Sequence, residues 1–367
     1  MFSHPFPNAF GIDLSDLSIK IVQLRNVSRR HHEHAYVPIV CRSTKLPHGL
    51  IMNGIVQEPE KVRKYLQHIL EGETTKNKPM KSHWAVASLP DIQGFLKRIE
   101  IDKPAEDIID EDIHLISKQH IPFEDNDYYL DWQLMPSTPG QSTSSVLVGA
   151  IPKKVADTYV YLLESMDLGV MALEIETLAI ARSMITAKKV YENEARAILD
   201  LGATRSSITI YDHDQIQYSI SLPFSGELVT TTVSQKCHIP YETAEQQKIQ
   251  IGLAYDKTVE PCWIAITSIT DQLIEQVKRA IDFYYSHFPG ANKVTHITMC
   301  GGGAGMKKLD EIMTEKLGIT AQPGNVWKNL SLRKLPPLST EESLGYATAI
   351  GLGLRAAANP FFRTDAL

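Results

Sequence analysis

The sequence predicts an α/β chain of two lobes built on an internal duplication, with a small α+β subdomain inserted into the first lobe. Two stretches carry the duplication, FGIDLSDLSIKIVQL from Phe10 and AILDLGATRSSITIYD from Ala197. Each is an apolar run holding an aspartate (Asp13, Asp200), then a polar hinge, then an alternating run of strand type. They lie half a chain apart, with Ile12-Asp13-Leu14-Ser15 over Leu199-Asp200-Leu201-Gly202, and an internal repeat is sought before any other fold assignment. The third observation is the alternation of strand-like and helix-like patterns along 367 residues, enough chain for more than one core. A carboxylate inside an apolar strand is costly unless a cation, donors or water meet it. Two such aspartates, one per half, make a cleft between two lobes the economical reading.

Composition narrows the function classes. A formal net charge of −6 gives no basic field, which argues against a nucleic-acid binder. The four cysteines (Cys41, Cys237, Cys262, Cys300) form no CxxC pair and stand at no metal spacing, so they read as ordinary thiols of a reducing compartment. MFSHPFPNAF has no charged n-region, and no window approaches the roughly 20 apolar residues of a membrane span. The expectation is a soluble, intracellular chain that meets a membrane only through partners.

After the first hairpin, RNVSRRHHEH places Arg29, Arg30, His31, His32 and His34 between strand-like runs. A metal site is conceivable there, but neighbouring strand residues alternate faces, which favours a solvated hairpin tip. PEKVRKYLQHIL sets Val62, Tyr65, Leu66 and Ile69 at helical spacing behind Pro59, an amphipathic helix over a sheet. HWAVASLP and FLKRIEI read as strands. AEDIIDEDIHLISKQHI reads as a helix with an apolar stripe of Ile108, Ile109, Ile113 and Ile116. DYYLDWQLM and SSVLVGAIP then alternate as strands around PSTPGQSTS. Residues 85–151 thus form the inserted subdomain, and a helix follows from Lys153 to Met166.

The second half repeats the hairpin and continues through helices in ELVTTTVSQKC, TAEQQKIQIG and IAITSITDQLIEQVKRAIDFYYSHF. The last carries Ile269, Leu273, Val277, Ile281 and Tyr284 on one face. VTHITMCGGGAGMKKLDEIMTEKLG is a buried strand, a glycine run and a helix, and SLGYATAIGLGLRAA is a small-residue helix fit for close packing.

Three elements suit a phosphate. The hinge Ser15, Asp16, Leu17, Ser18 can aim amides and hydroxyls at an anion, and Lys20 adds a point charge; a plain turn with a solvated lysine is the alternative. Asp200-Leu201-Gly202-Ala203-Thr204 lets Gly202 bring backbone close to a ligand. Gly301, Gly302 and Gly303 stand at a strand-to-helix turn, where a helix N-terminus can face an anion. Mg²⁺ keeps most of its waters and takes phosphates and one or two carboxylates, so Asp13 and Asp200 suit its hydration shell.

With these motifs in this order, the chain resembles the actin-like ATPase superfamily, and within it the PilM family of type IV pilus assembly, related to FtsA. The likeness rests on FGIDLSDLSIKIVQL, KQHIPFEDNDYYLDWQL, YVYLLESMDLGVMALEIETLAIAR, ILDLGATRSSITIYD with SLPFSGE, MCGGGAGMKKLDEIMTEKLGI and YATAIGLGLR, nearly the whole chain. It implies two mixed five-stranded sheets flanked by helices, and the cofactors ATP and Mg²⁺. It implies a first phosphate loop of Asp13, Ser15, Asp16, Ser18 and Lys20 and a second of Asp200, Gly202, Ala203 and Thr204. Glu245 and Lys248 match the ribose-holding pair, and Gly226 with Gly301, Gly302 and Gly303 the adenosine-side glycines. Glu176 falls where relatives place a carboxylate that orients water, a salt-bridged hinge residue being the alternative. One departure stands out: the first loop has Ser15 where the family has glycine, with Asp16 beside it. A side chain there is costly if the turn needs positive φ, and the added charge would weaken nucleotide affinity or hydrolysis. At most a slow ATPase is expected.

The implied organisation is a first lobe in 1–84 with an inserted subdomain in 85–151 and return helices in 152–190. A second lobe follows in 191–238, a helical subdomain in 239–290, a return with the glycine turn in 291–340 and a C-terminal helix in 341–367. The implied partner is the N-terminal cytoplasmic peptide of a PilN-like inner-membrane protein, taken near the inserted subdomain, where Ile121-Pro122-Phe123 lies. Other platform proteins of the pilus inner membrane and self-association are further expected contacts, and the site of action is the cytoplasmic face of the membrane. The alternatives are an FtsA- or MreB-like filament protein and a sugar-type kinase of the same superfamily. Against the first, RAAANPFFRTDAL shows no amphipathic membrane helix; against the second, no catalytic aspartate appears beyond the phosphate turns.

Overall fold

The computed structural model describes residues 4–28, 35–72, 78–135, 142–187, 189–331, 333 and 335–358. The histidine-rich tip and the final residues 359–367, with the expectations attached to them, lie outside that set. The chain divides into two compact units. One is Met1–Ala187 with Trp327–Pro336 and Thr348–Leu367; the other is Lys188–Val326 with Pro337–Ala347.

The first unit opens with β1 (Phe10–Ser15), β2 (Ser18–Asn26) and β3 (Tyr36–Lys45), followed by the small hairpin β4 (Ile51–Met52) and β5 (Ile55–Val56). Then come α1 (Pro59–Glu71), β6 (Trp84–Leu89), β7 (Phe95–Ile101), α2 (Asp110–Ser117), β8 (Tyr128–Leu134), β9 (Ser144–Pro152), α3 (Lys153–Glu164), β10 (Gly169–Ile175) and α4 (Glu176–Met184). The main sheet has the order β10-β6-β1-β2-β3. β1 and β2 pair antiparallel, whereas β6 runs parallel to both β1 and β10. A central parallel strand is covered on both faces, and WAVASL, buried from Ala85 to Leu89, fits that demand. The separate subdomain therefore begins at Phe95 and not at residue 85. α1 lays Val62, Leu66 and Ile69 on the core around Phe10, Ile12 and Ile21. The Arg42 guanidinium donates to the carbonyls of Ile69 (2.9 Å) and Leu70 (3.2 Å), closing the end of that helix.

The inserted subdomain is the antiparallel sheet β7-β9-β8 with α2, and its core is Ile99, Ile101, Ile113, Val146 and Val148. The helix there is shorter than the isoleucine spacing suggests. Asp112 Oδ2 accepts from the Ile109 amide and both its oxygens hold Lys103, so the helix starts at Asp110, after an extended and exposed Ile109.

The second unit comprises β11 (Glu194–Leu201), β12 (Ser206–Asp212), β13 (Gln215–Leu222), α5 (Gly226–Cys237), α6 (Tyr241–Ile251), α7 (Glu260–His287), β14 (Lys293–Cys300), α8 (Leu309–Leu317), β15 (Thr320–Pro323) and α9 (Thr340–Leu344). Its sheet order is β13-β12-β11-β14-β15, with an antiparallel hairpin on one side and two parallel strands on the other. Strand for strand this is the plan of the first unit, so the duplication read from the two aspartate turns is present in topology. α7 buries Leu273, Val277, Ile281 and Tyr284 along one face, as its spacing predicts. Two of the four cysteines are not ordinary thiols. Cys237, the last residue of α5, is disulfide-bonded to Cys262 of α7, with Cα atoms 5.7 Å apart. No CxxC spacing announces a bond between separate helices.

The last helix, α10 (Ala347–Ala357), returns to the first unit. A Cβ on Gly351 would run into the Ala179 carbonyl of α4, and one on Gly11 into the α10 backbone at Ala349, Leu352 and Gly353. Small residues let these elements approach closely. The same corner holds a buried ion cluster: Glu174 of β10, 1% exposed, is gripped by Arg182 at 2.6 and 2.7 Å and by Arg355 at 2.9 Å. Burial alone would raise the Glu174 pKa, but the two guanidiniums outweigh it and hold it below the ordinary value. A depressed carboxylate contributes stability that is present above its unfolded pKa, near 4.5, and is lost as pH falls through its lower folded value. Glu174→Gln is therefore expected to flatten the acid limb of a urea-stability profile. Profiles of equal steepness below about pH 4.5 would assign acid sensitivity elsewhere.

Candidate functional site

In the second unit, one run of contacts joins most of the residues predicted to hold a nucleotide. Asp200 is the penultimate residue of β11 and half-buried, opposite Ser207 on β12 and Cys300 on β14. The buried Cys300 thiol donates to Asp200 Oδ1 at 3.5 Å, and burial, then the carboxylate, push the thiol pKa well above its usual value. Beyond the strand, the Gly202 amide donates to the Arg205 carbonyl (3.0 Å), which closes a tight turn around Ala203 and Thr204. A Cβ on Gly202 would collide with that carbonyl. The turn then seats the start of α5: the Gly226 amide donates to Gly202 O (3.0 Å) and the Glu227 amide to Ala203 O (2.9 Å). Ser225 caps the helix, its hydroxyl accepting from the Leu228 amide at 3.1 Å. From α6, Lys248 Nζ donates to Gly226 O at 3.2 Å and lies 2.7 Å from Glu245 Oε2. The sequence-predicted Asp200, Gly202, Ala203, Thr204, Gly226, Glu245 and Lys248 are thus neighbours.

The glycine run closes the other side of Asp200. Gly301 has φ +79°, which favours glycine, and a Cβ there would fall 2.7 Å from Asp200 Oδ1. Gly302 faces open space, while a Cβ on Gly303 would touch Leu201. One expectation is corrected. The run does not open a helix: residues 302–305 form a 3-10 turn, and α8 begins only at Leu309, after Lys308 at φ +64°. What the glycines supply is backbone closeness beside Asp200, not a helix terminus.

In the first unit, Asp13 is 3% exposed and its partners are local. Oδ1 accepts from the Ser15 hydroxyl (2.8 Å) and from Ser88 on β6 (3.5 Å), and Oδ2 lies 3.7 Å from Lys20 Nζ, whose residue is its register partner across the hairpin. Lys20 also donates to Ser18 Oγ at 2.7 Å. Two expectations about the departure from the family pattern change. None of residues 15–17 has positive φ, so Ser15 carries no backbone penalty in this turn. Asp16, 4% exposed, accepts from the Asn53 amide (3.1 Å) and the Gly54 amide (2.9 Å) of the β4–β5 turn, where both residues have positive φ. Both carboxylate oxygens of Asp16 thus accept from that turn, a tie that supports the local structure. Ser88 was not legible as a site residue; its only sign was a lone hydroxyl near the end of an apolar strand. Glu176 is the first residue of α4, immediately beyond β10, and β1, β6 and β10 bring Asp13, Ser88 and Glu176 to one end of the sheet.

No group of three or more His, Cys, Asp or Glu side chains that could hold a metal occurs among the described residues. An oxygen-poor, single-carboxylate turn beside open glycine backbone fits a hydrated Mg²⁺ brought with phosphates better than an all-protein cage. No helix among the described residues is long and apolar enough to cross a membrane.

The fold is that of the actin-like ATPases. It is similar to a PilM–PilN type IV pilus biogenesis complex (TM-score 0.81, 20% identity, 96% of this chain and 100% of that one). It is also similar to the ethanolamine utilization protein EutJ from Carboxydothermus hydrogenoformans (TM-score 0.55, 13% identity, 94% and 88%). The chain belongs to the type IV pilus assembly protein PilM family, whose pattern matches residues 11–357. A further relative is the cell division protein FtsA of Buchnera aphidicola (subsp. Baizongia pistaciae), 32% identical over 77 residues. That match spans 21% of this chain and 18% of that protein.

Proposed function

We propose that this chain is an ATP-binding scaffold of type IV pilus assembly that binds the N-terminal peptide of a PilN-like inner-membrane protein, with nucleotide occupancy setting its affinity for the peptide. The observation that carries the nucleotide reading is the contact run in the second unit, from Asp200 through the Gly202 turn to Gly226, Lys248 and Glu245. In this reading the Gly202–Thr204 amides and Gly301–Gly303 approach the nucleotide, while Ser15, Ser18 and Lys20 serve as its further phosphate contacts. The family resemblance assigns Asp13 and Asp200 to a hydrated Mg²⁺, which would supply neutralisation of phosphate charge. Nucleotide occupancy biases the conformation that the peptide site adopts. Support for the peptide comes from family membership and from a similar chain seen in a PilM–PilN complex.

The peptide reading is assigned to the inserted subdomain and its parent, where Tyr129 on β8 bonds Asp157 on α3 (2.9 Å) and Tyr161 stands 62% exposed. Ile121 is buried and serves the core, which leaves Phe123 as the half-buried member of that triplet. The place of action is the cytoplasmic face of the inner membrane, reached through such partners. Glu176, the first residue of α4, is the carboxylate assigned to orienting water. The chain acts as a scaffold, and turnover is expected below the ~1 s⁻¹ floor of ordinary enzymes. Calorimetric titration with ATP, with and without Mg²⁺, tests the nucleotide reading: one site per chain that tightens with Mg²⁺ is expected. No heat in either condition would remove it, and steady phosphate release above ~1 s⁻¹ with a sugar present would favour the kinase alternative.

A further inference from the structure

The Cys237–Cys262 bond joins α5 to α7, and the 25-residue separation of the two cysteines encloses α6. That helix is thinly anchored. Of its eleven residues Ala244 and Ile251 are buried, a small apolar footprint where packing supplies most of a helix's stability. Lys248 adds polar ties, to Gly226 O at 3.2 Å and Thr230 Oγ1 at 2.9 Å. The two sulfurs stand in unlike places. Cys262, 7% exposed, lies in the first turn of α7 behind Glu260 and Pro261, where free amides and the helix dipole favour a thiolate. Cys237 is half-buried at the last residue of α5, the opposite end of a dipole, between exposed Lys236 and His238.

We propose that Cys237 and Cys262 are a reversible dithiol–disulfide switch that sets how firmly the segment bearing α6 is held between α5 and α7. Opening begins with attack of an external thiolate, that of glutathione, on Cys237 Sγ, the sulfur of the less buried residue. The S–S bond breaks, and Cys262 leaves as the thiolate its helix end favours. A second glutathione thiolate then displaces Cys237 from the mixed disulfide. Two glutathione thiols have become one glutathione disulfide, and the protein pair has taken up two electrons and two protons. Closure is the reverse, with glutathione disulfide as the oxidant. In the closed form the ends of α5 and α7 cannot part, so opening of the segment between them gains little chain freedom; in the open form that restraint is gone. The consequence for a ligand rests on the nucleotide reading above, because α6 carries Glu245 and Lys248. The reduced protein holds them less firmly and binds ATP more weakly.

The test is amide exchange of the full chain, without nucleotide, after equilibration with excess glutathione disulfide or with dithiothreitol, the bond being mapped in each sample by alkylation and peptide mass spectrometry. The bond is expected closed in the first and open in the second, reversibly, with exchange over residues 238–261 at least ~10-fold faster in the open form. Cys237→Ser and Cys262→Ser are expected to exchange at the open-form rate in both buffers. In glutathione disulfide, Cys262→Ser should form a mixed disulfide at Cys237 at least ~10-fold faster than Cys237→Ser forms one at Cys262. Cysteines that stay free in glutathione disulfide while the protein is folded overturn the proposal. So does a bond that opens only on global unfolding, or exchange that is the same in both forms. ATP titration of the two forms separates this from the nucleotide reading. ATP is expected ~10-fold weaker in the open form, and equal affinities overturn the coupling to the site. Binding in neither form removes the nucleotide reading, while the exchange data still decide the switch.

Discussion

Asp200→Ala is expected to abolish the Mg²⁺-dependent part of ATP binding while the protein stays folded. The carboxylate stands at the end of β11, half-buried, with the Cys300 thiol and Gly301 against Oδ1. A charge-assisted contact of this kind contributes about 2 kcal/mol, so affinity should fall roughly thirty-fold in Mg²⁺. In EDTA the variant and the wild type should bind ATP alike. The contrary result, equal affinity in Mg²⁺, would place the ion elsewhere. Asp13→Ala is a weaker test, because the loss of that buried carboxylate strips Lys20 of its partner and mixes folding with binding.

The second large effect is on stability, and its sign opposes helix propensity. In a free helix, glycine to alanine gains about 1 kcal/mol. At position 351 the new methyl meets the backbone of α4 at Ala179, which has no flexible side chain to yield. Gly351→Ala is therefore expected to destabilise by about 2–4 kcal/mol, with a lower urea midpoint and disturbed packing around Glu174, Arg182 and Arg355. A raised midpoint would show that α10 docks less tightly than its glycines indicate.

Which features were legible in the sequence follows from the range of the interactions behind them. The two aspartate turns are local: an apolar run, a carboxylate and an alternating run fix a strand, a hinge and its partner strand, so the duplicated sheet plan could be read directly. Glu245 and Lys248 sit three apart on one helix face, and that spacing is also local. Asp16 could not be read, because its amide partners Asn53 and Gly54 belong to another hairpin. Nor could the ease of Ser15, since the need for positive φ depends on the turn actually formed. The Cys237–Cys262 bond and the hydrogen bond from Lys248 on α6 to Thr230 Oγ1 on α5 both join α5 to a different helix, and nothing in their flanking residues marks either. The late start of α8 after the glycine run is a similar case. A turn that could open a helix instead closes into a 3-10 segment that hydrogen-bonds α9 through Gly301 N and Leu344 O (3.1 Å).

The measurement that bears most directly on the central claim is titration of the full chain with a synthetic PilN-type N-terminal peptide, with and without saturating Mg-ATP. Coupling between two sites on one protein is reciprocal. The account predicts saturable peptide binding whose Kd differs at least ~5-fold between the two conditions, the same factor appearing in ATP affinity measured with and without peptide. In Asp200→Ala peptide binding should persist, and its nucleotide dependence should appear only at roughly thirty-fold higher Mg-ATP. Peptide binding that is absent in both conditions, or identical in both although ATP is bound, would contradict a nucleotide-governed scaffold.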